Sequence, residues 1–573
     1  MNTNSSPAAT TCLLISDFNA GNLKSYLETD SGTLSPGSQA LRVVMPDYGQ
    51  VMQTLLDAEH ECWQEQPEIT VIWTRPEAVV ASFTKILQAE SATIGELLDE
   101  VNQFADLVIA AAERARTVVV PLWAPPTGHR GLGPIDLRPG GTRHALLQMN
   151  LRLTERLHEQ PGIFVVDSDQ WLARQGNPEM AHKFWYAAKT PYSTEVFRAA
   201  AADIKALVRA TAGQSSKLLI LDLDDTLWGG IVGDVGWENL RLGGHDPVGE
   251  AFQDFQRGVK ALQNRGVVLA VVSKNDEETA LTAVDKHPEM LIRRDDLAGW
   301  RINWNDKAQN IVELVDELNL GLDAVVFIDD NPAERGRVAE ALPEVFVPDW
   351  PADKLLYRHA LNSLNCFDPA AVSAEDAERS RAYAAERQRR QSKTAVSMDD
   401  WLESLELQVR ISELADANRQ RAVQLLNKTN QMNLSTRRLT EDELNSWLES
   451  GERTFHTVWV EDRFGDSGLT GLVSTEIRDG VCRIVDFVLS CRVFGRKVEN
   501  VMTAIAVAEA RRRGACTVEA TYEATAKNRP TLDFFTASSG LDEAGPNVFT
   551  WDTGKDYPLP PYIRVYGLNT ENS

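Results

Sequence analysis

Asp222 and Asp224 stand two residues apart, followed at once by Asp225 and Thr226. Two carboxylates at that spacing can meet one divalent cation, and a cation makes so crowded an acid cluster tolerable. Further groups follow in order: Ser273-Lys274-Asn275, then Lys307 behind Asn305 and Asp306, then Asp329-Asp330-Asn331. A lone Asp-x-Asp usually marks a solvated acidic loop. A hydroxyl, ammonium groups and a second acid pair arriving in sequence point instead to phosphoryl transfer. In that chemistry one carboxylate attacks phosphorus and a second protonates the leaving oxygen. A hydroxyl and a lysine hold the phosphoryl oxygens, and Mg²⁺ cancels charge among the carboxylates.

Such groups need strand ends to hold them. The four aliphatic residues Leu218 to Leu221 read as a buried central strand of a parallel sheet, and ligands gather at the carboxyl ends of such strands. Apolar runs predict further strands over 267–272 and 324–328, with a helix over 308–318 between them. The glycine-rich stretch 228–244 suggests a hairpin flap over the site, with Trp228 and Trp237 either as lid aromatics or as ordinary packing.

The order and content of these groups resemble the haloacid dehalogenase (HAD) phosphatase superfamily. Carried across, the resemblance makes Asp222 the nucleophile that forms a phosphoaspartate and Asp224 the general acid/base. Ser273 and Lys307 would bind phosphate, with Thr226, Lys274 and Asn275 beside them. Asp222, Asp224, Asp329 and Asp330 would surround Mg²⁺, Asp224 through its backbone carbonyl. The runs LILDLDDTLWGGIVGD, VVSKND, INWNDKAQNI and VFIDDNPAERGRV narrow the likeness to the FkbH-like proteins. So do LNKTNQMNLSTRR, EDRFGDSGL, LSCRVFGRKVE and AKNRPTLDFF further on. Members of that family are glyceryl transferase/phosphatases of polyketide assembly lines. The resemblance therefore implies that the glyceryl unit of D-1,3-bisphosphoglycerate is loaded onto the phosphopantetheine thiol of an acyl carrier protein, with loss of phosphate. The competing expectations are a stand-alone Mg²⁺-dependent phosphatase and a non-catalytic docking scaffold.

At 573 residues the chain predicts about three domains. The expected divisions are 1–215, 216–360, a helical linker over 361–397, and 398–573. In the first part, strands are expected over 12–16, 41–45, 70–73, 117–122 and 162–166, with helices over 94–114 and 144–158. Ser16-Asp17-Phe18-Asn19 at the end of the first strand resembles the start of an SGNH hydrolase. There is no Gly-Asp-Ser and no Asp-x-x-His, so this SGNH-like α/β domain is expected to be non-hydrolytic, a scaffold or docking unit.

Residues 398–573 are similar to a GNAT acyltransferase, an α+β fold. The strand over 481–489 runs into Arg492-Val-Phe-Gly495-Arg-Lys497 and then a helix over 497–513. In GNAT proteins a loop there offers backbone N–H groups to a pyrophosphate. Here Lys497 replaces the last small residue of the pattern. The resemblance places Arg492, Gly495, Lys497 and Asn528 on a pantetheine or carrier arm. Cys491, beside Arg492, Arg496 and Lys497, is in surroundings that favour a thiolate able to carry an acyl group; the alternative is a small buried strand cysteine. The arginines at 437–438 and 511–513 offer basic patches to an acidic carrier, although those at a helix end also suit the helix dipole.

The overall fold class expected is thus α/β: an SGNH-like domain, a HAD-like Rossmannoid domain and a GNAT-like domain. Lys and Arg total 58 against 83 Asp and Glu, a net charge of −25, which disfavours nucleic acid and anionic membrane as partners. The six cysteines show no zinc spacing and suggest a reducing, cytoplasmic setting. The N-terminus lacks the pattern of a signal peptide, and no run of about 18 apolar residues suggests a membrane span.

Overall fold

The computed structural model describes residues 10–29, 40–126, 128–176, 178–370, 398–429, 431–449, 451–490, 493–525 and 527–568. The chain divides into two compact units, one of Met1–Ser215 with Asn362–Ala370 and one of Ser216–Leu361 with Ala371–Ser573. The expected linker helix falls largely on 371–397, outside the described residues. The stretch before it returns to the first unit, where Ser215 Oγ donates to Asp368 O at 2.7 Å and Asn365 Nδ2 to Asp203 Oδ1 at 3.1 Å.

The first unit holds an all-parallel sheet of β1 (Thr11–Ser16), β2 (Arg42–Val44), β3 (Ile69–Trp73), β4 (Thr117–Pro121) and β5 (Ile163–Val166). Its order, β2-β1-β3-β4-β5, reverses direction between β1 and β3. That order is a doubly wound one shared by unrelated functions, so it fixes no family. The fully buried strands β3 and β4 read as continuous apolar runs because helices cover both sheet faces.

In the second unit the same logic builds β6 (Leu218–Leu221), β7 (Val268–Ser273), β8 (Leu297–Ile302) and β9 (Val325–Ile328) into a parallel sheet ordered β8-β7-β6-β9. β6 is therefore central, between β7 and β9, with every residue at 0% exposure. Leu218, Ile220, Val268, Val272, Ile311, Leu314 and Phe327 share one core, and burying each large aliphatic side chain is worth about 2 kcal/mol. The helix Lys307–Glu317 starts where the Asp306 carboxylate accepts the Ala308 and Gln309 N–H groups. This cap fixes the first turn and sets Lys307 at the sheet's carboxyl end.

The flap expected over 228–244 is not a hairpin. One antiparallel bridge, Gly229 to Arg241, closes a loop containing a helical turn, Val232–Val235, and a 3₁₀ turn, Trp237–Asn239. Trp228 is fully buried beneath that loop, so it is not a lid, and Trp237 is half-buried.

The remainder of the second unit is a sheet of β10 (Gln408–Glu413), β11 (Met432–Asn433), β12 (Arg453–Asp462), β13 (Gly465–Arg478), β14 (Val481–Leu489), β15 (Thr517–Thr521), β16 (Asp542–Gly545), β17 (Val548–Asp552) and β18 (Arg564–Tyr566). Its order is β16-β17-β15-β14-β13-β12-β10-β18, with β11 on β14. The pairing is antiparallel except between β14 and β15 and between β10 and β18. No helix among the described residues is long and apolar enough to cross a membrane.

Candidate active site

At the carboxyl end of β6, Asp222 is 6% exposed and its N–H donates to Ile328 O at 3.0 Å, which pins it to β9. Asp329 and Asp330 leave β9 beside it. One carboxylate oxygen from each of Asp222, Asp329 and Asp330 lies within 4.8 Å of the others. Lys307 Nζ donates to Asp329 Oδ2 at 2.5 Å and stands 3.0 Å from Asp222 Oδ1. That second approach is an ion pair outside aligned hydrogen-bond geometry, so Asp222 Oδ1 is buried with the ammonium charge beside it but no aligned donor. The cluster is short of positive charge: the carboxylates of Asp222, Asp224, Asp225, Asp329 and Asp330 bear on one another, against Lys307, Lys354 (3.2 Å from Asp330 Oδ2) and the guanidinium of Arg335 on the Asp329 and Asp330 carbonyls. Hard oxygen donors with an orphaned lone pair and outstanding negative charge fit a divalent cation of the Mg²⁺ type.

The electrostatics agree with this geometry. Burial first, then the neighbouring charge of Asp222, pushes the Asp329 carboxyl up to about 6 against the pull of Lys307. Burial alone would lower Lys307, but the charges of Asp222 and Asp329 hold its ammonium above the ordinary lysine range. Asp224 is raised by burial, with Asp222 and Asp225 adding to the effect, although two donated hydrogen bonds pull it down. An acid that keeps its proton more readily than usual is suited to giving it to a leaving group.

Asp224 is held by three donors: Trp228 Nε1 at 2.8 Å and Val232 N at 3.1 Å on Oδ1, and Asn275 Nδ2 at 2.8 Å on Oδ2. Between the acids and Thr226 the chain passes through Asp225 at φ 53°, the left-handed region, and the Asp225 carboxylate closes that turn by accepting Gly230 N at 3.1 Å. Thr226, fully buried, accepts Asp330 N at 3.1 Å, tying the loop after β6 to the loop after β9. Ser273, 2% exposed, ends β7 on the same side of the sheet. Lys274 turns away and pairs with Glu334 at 2.6 Å. The structure thus brings Asp222, Lys307, Asp329 and Asp330 into one cluster, sets Asp224 and Asn275 beside each other, and places Thr226 as a tie between loops. Two groups escaped the sequence reading. Arg335 Nη1 donates to both Asp329 O and Asp330 O at 2.8 Å, and Lys354 reaches Asp330 from a segment without a motif.

In the third sheet, Cys491 and Arg492 lie outside the described residues. Gly495, at φ 75°, donates its N–H to Glu499 Oε1 at 2.5 Å. The carboxylate at this helix start is therefore the protein's own, and burial raises it. Lys497 is exposed, at φ 65°, just before the helix Val498–Arg512. Strand β14 pairs with β15 only from Val481–Thr517 to Ile484–Ala520. Beyond that, the same edge of β14 is taken by β11, through Met432 to Leu489 and Asn433 to Val488. Asn528, fully buried, clamps β11 in place: its Nδ2 donates to Asn433 O and Glu523 O, and its Oδ1 accepts Tyr522 OH and Thr525 N, all within 2.7–3.0 Å. Of the other cysteines, Cys12, Cys62, Cys366 and Cys482 are buried, and burial pushes Cys12 up to about 12 and Cys482 to about 11.

In the first unit, Ser16 Oγ accepts Phe18 N at 3.2 Å, and Asp17 takes Arg75 N at 2.7 Å and Arg75 Nε at 2.8 Å. A cavity of about 190 Å³ lies alongside, walled by Arg75, Glu77, Trp185, Tyr192 and prolines.

No family model matches the chain, and no curated protein matches it. Among solved structures it is similar to the N-terminal part of the protein BF1531 from Bacteroides fragilis, which contains a phosphatase domain and was crystallised complexed with Mg. The identity is 28% and the TM-score 0.56, over 63% of this chain and 95% of that one. The ribosomal-protein-S18-alanine N-acetyltransferase from Escherichia coli overlaps 25% of this chain and 94% of its own at 12% identity and a TM-score of 0.20. A putative phosphinothricin N-acetyltransferase overlaps 26% of this chain and 99% of its own, at 14% identity and again a TM-score of 0.20. Those two likenesses are too slight to argue from. The likeness to the Bacteroides protein, with acids and serine at the carboxyl ends of β6, β7 and β9 and Lys307 on the helix that follows β8, makes the β6–β9 domain a HAD-like phosphatase fold.

Proposed function

We propose that the protein is a Mg²⁺-dependent phosphoryl-transfer enzyme of the phosphatase type. The observation that carries this reading is the orphaned Asp222 Oδ1 beside Lys307 in a cluster short of positive charge. Asp222 attacks phosphorus, forming a new P–O bond as the bond to the leaving oxygen breaks, and Asp224 gives that oxygen its proton. Asp224 then takes a proton from water as the water attacks the phosphoaspartate, which frees inorganic phosphate and restores Asp222. Lys307 holds developing negative charge on the phosphoryl oxygens, and Ser273 offers them a hydroxyl. Mg²⁺, held by Asp222, Asp329 and Asp330, would neutralise the charge that keeps an anionic phosphate from an anionic nucleophile.

The finer reading is that the substrate is D-1,3-bisphosphoglycerate and that its glyceryl unit passes to the phosphopantetheine thiol of an acyl carrier protein. Its support is the FkbH-like run of motifs through both the phosphatase domain and residues 398–536. Cys491, on this reading, is the thiol that relays the acyl group as a thioester. On this reading the first domain is a non-hydrolytic scaffold, consistent with Ser16 and Asp17 being bonded within the fold. A stand-alone phosphatase is the second reading, favoured by β11 filling the β14 edge and by Glu499 on the Gly495 N–H.

One experiment separates them. Protein, Mg²⁺, D-1,3-bisphosphoglycerate and phosphopantetheinylated carrier protein are mixed and both proteins are weighed intact. A glyceryl adduct on the carrier, with phosphate released, is the expected result. Phosphate without an adduct leaves the plain phosphatase, and no phosphate at all overturns both. An adduct on this chain that Cys491→Ala removes would establish the relay.

A further inference from the structure

We propose that Lys354 is a positioning residue of this site: it joins the two acid loops and sets how tightly the acid cluster holds its cation. The inference rests on the phosphatase reading above and adds to it a residue from outside the four motifs.

Lys354 opens the 3₁₀ turn Lys354–Leu356, after the parallel sheet is complete. Its ammonium donates to Asp225 O at 2.9 Å, Tyr357 OH at 2.9 Å and Asp330 Oδ2 at 3.2 Å. An ammonium has three N–H groups, so the set is full. The acceptors belong to the loop after β6, the loop after β9 and a buried tyrosine. Tyr357 is seated edge-on against Trp350 at 5.3 Å, Phe255 at 5.7 Å and Phe252 at 5.8 Å, a rigid floor for the lysine. Its hydroxyl in turn donates to Asp225 O at 3.2 Å.

The Asp225 carbonyl thus receives two donors at the one residue of the loop whose backbone is left-handed, a conformation that costs a residue with a Cβ about 1–2 kcal/mol. Those donors hold the turn that separates Asp222 and Asp224 from Thr226. Freed of them, the turn would relax and the nucleophile would lose its aim. Misplacement by about 1 Å costs on the order of a hundredfold in rate.

The charge has a separate consequence. Lys354 is the second of two ammonium groups among these carboxylates. Removing it deepens the negative charge a cation meets, so binding of the cation should tighten while catalysis falls. A residue that merely propped up the fold would weaken both.

The test uses metal-stripped full-length protein. Calorimetric titration with Mg²⁺ gives affinity, and phosphate release from acetyl phosphate at saturating Mg²⁺ gives turnover. Lys354→Met should bind Mg²⁺ about tenfold more tightly and turn over about a hundredfold more slowly. Lys354→Arg, which keeps the charge, should stay within about twofold of wild type in Mg²⁺ affinity. Tyr357→Phe should lose turnover with no change in Mg²⁺ affinity, and it keeps the inference testable if the methionine variant does not fold. Unchanged or weaker Mg²⁺ binding by Lys354→Met, or unchanged turnover, overturns the inference alone. Wild-type protein that binds no Mg²⁺ and releases no phosphate overturns the phosphatase reading and this inference with it.

Discussion

Two parallel sheets in this protein end in acids, and only one of them looks built for chemistry. At the end of β1, Asp17 has a donor on each oxygen: Arg75 supplies its backbone N–H to one and Nε to the other, gives Nη1 to Glu77 Oε1 at 2.9 Å, leaving Glu77 Oε2 buried without a donor, and lays its guanidinium over Trp185 at 3.9 Å. At the end of β6, Asp222 keeps a buried oxygen with no aligned donor, and its neighbours bring more negative than positive charge. Both acids occupy the place where α/β proteins put ligands. What separates them is not position in the fold: Asp17 has an aligned donor on each oxygen and Asp222 does not, and Asp222 stands among further carboxylates and two lysines.

The strongest way to break that contrast is Asp222→Asn. If the acid without an aligned donor is the reactive one, phosphate release should fall by about a thousandfold or more, since a carboxamide does not attack phosphorus. Circular dichroism should show an unchanged fold, and a rate within tenfold of wild type would remove Asp222 as nucleophile. Lys307→Met tests the charge deficit. Losing the buried ammonium leaves Asp222 and Asp329 facing each other, which should destabilise the protein by about 3–5 kcal/mol in the presence of a chelator. Added Mg²⁺ should restore part of that loss in a thermal melt, because it supplies the missing positive charge. A melt that ignores Mg²⁺ would mean that the cluster is structural, like the one around Asp17.

Much of this was legible before any coordinates. Leu218 to Leu221 and the run before Ser273 announce buried parallel strands because both sheet faces are covered, and Asp306 marks the start of the helix that carries Lys307. The edge strand β8 was not legible: its residues 297–302 include Gly299 and Arg301, and nothing apolar recurs long enough to declare it. The two-residue β11 has no pattern at all, since its place is set by the buried side chains of Asn528 and Thr531, which reach it from about a hundred residues away. Lys354 is illegible for the same reason: its partners are a backbone carbonyl 129 residues away and a carboxylate 24 away, whereas Arg335 lies only five and six residues from the carbonyls it binds, contacts that carry no side-chain pattern. The glycines around Trp228 suggested an open flap. A buried indole needs an acceptor for its N–H, and Asp224 is that acceptor.

Asp17→Asn is the counterpart of Asp222→Asn. It weakens a desolvated ion pair while leaving Glu77 on Arg75, so a loss of about 2 kcal/mol in stability is expected. Phosphate release per folded molecule should not change. A fall in turnover with the fold intact would give the first domain a part in the reaction and end the contrast between the two sheets.

The finest comparison uses the same bond twice. Trp171 Nε1 donates to Asp203 Oδ2 at 2.6 Å in the first unit, and Trp228 Nε1 donates to Asp224 Oδ1 at 2.8 Å in the second. Replacing either tryptophan with phenylalanine removes one donor from a carboxylate, worth about 1 kcal/mol. Trp171→Phe should cost stability alone. Trp228→Phe should also change the chemistry, because Asp224 keeps Val232 N and Asn275 Nδ2 but loses a bond that favours its charged form. Its carboxyl, already raised by burial, should rise further. Since Asp224 acts as the acid, the alkaline limb of the turnover profile should move to higher pH, with a fewfold loss of rate at most. If the profile stays put in both variants, Asp224 is not the group whose proton the rate reports, and its likeness to Asp203 would be complete.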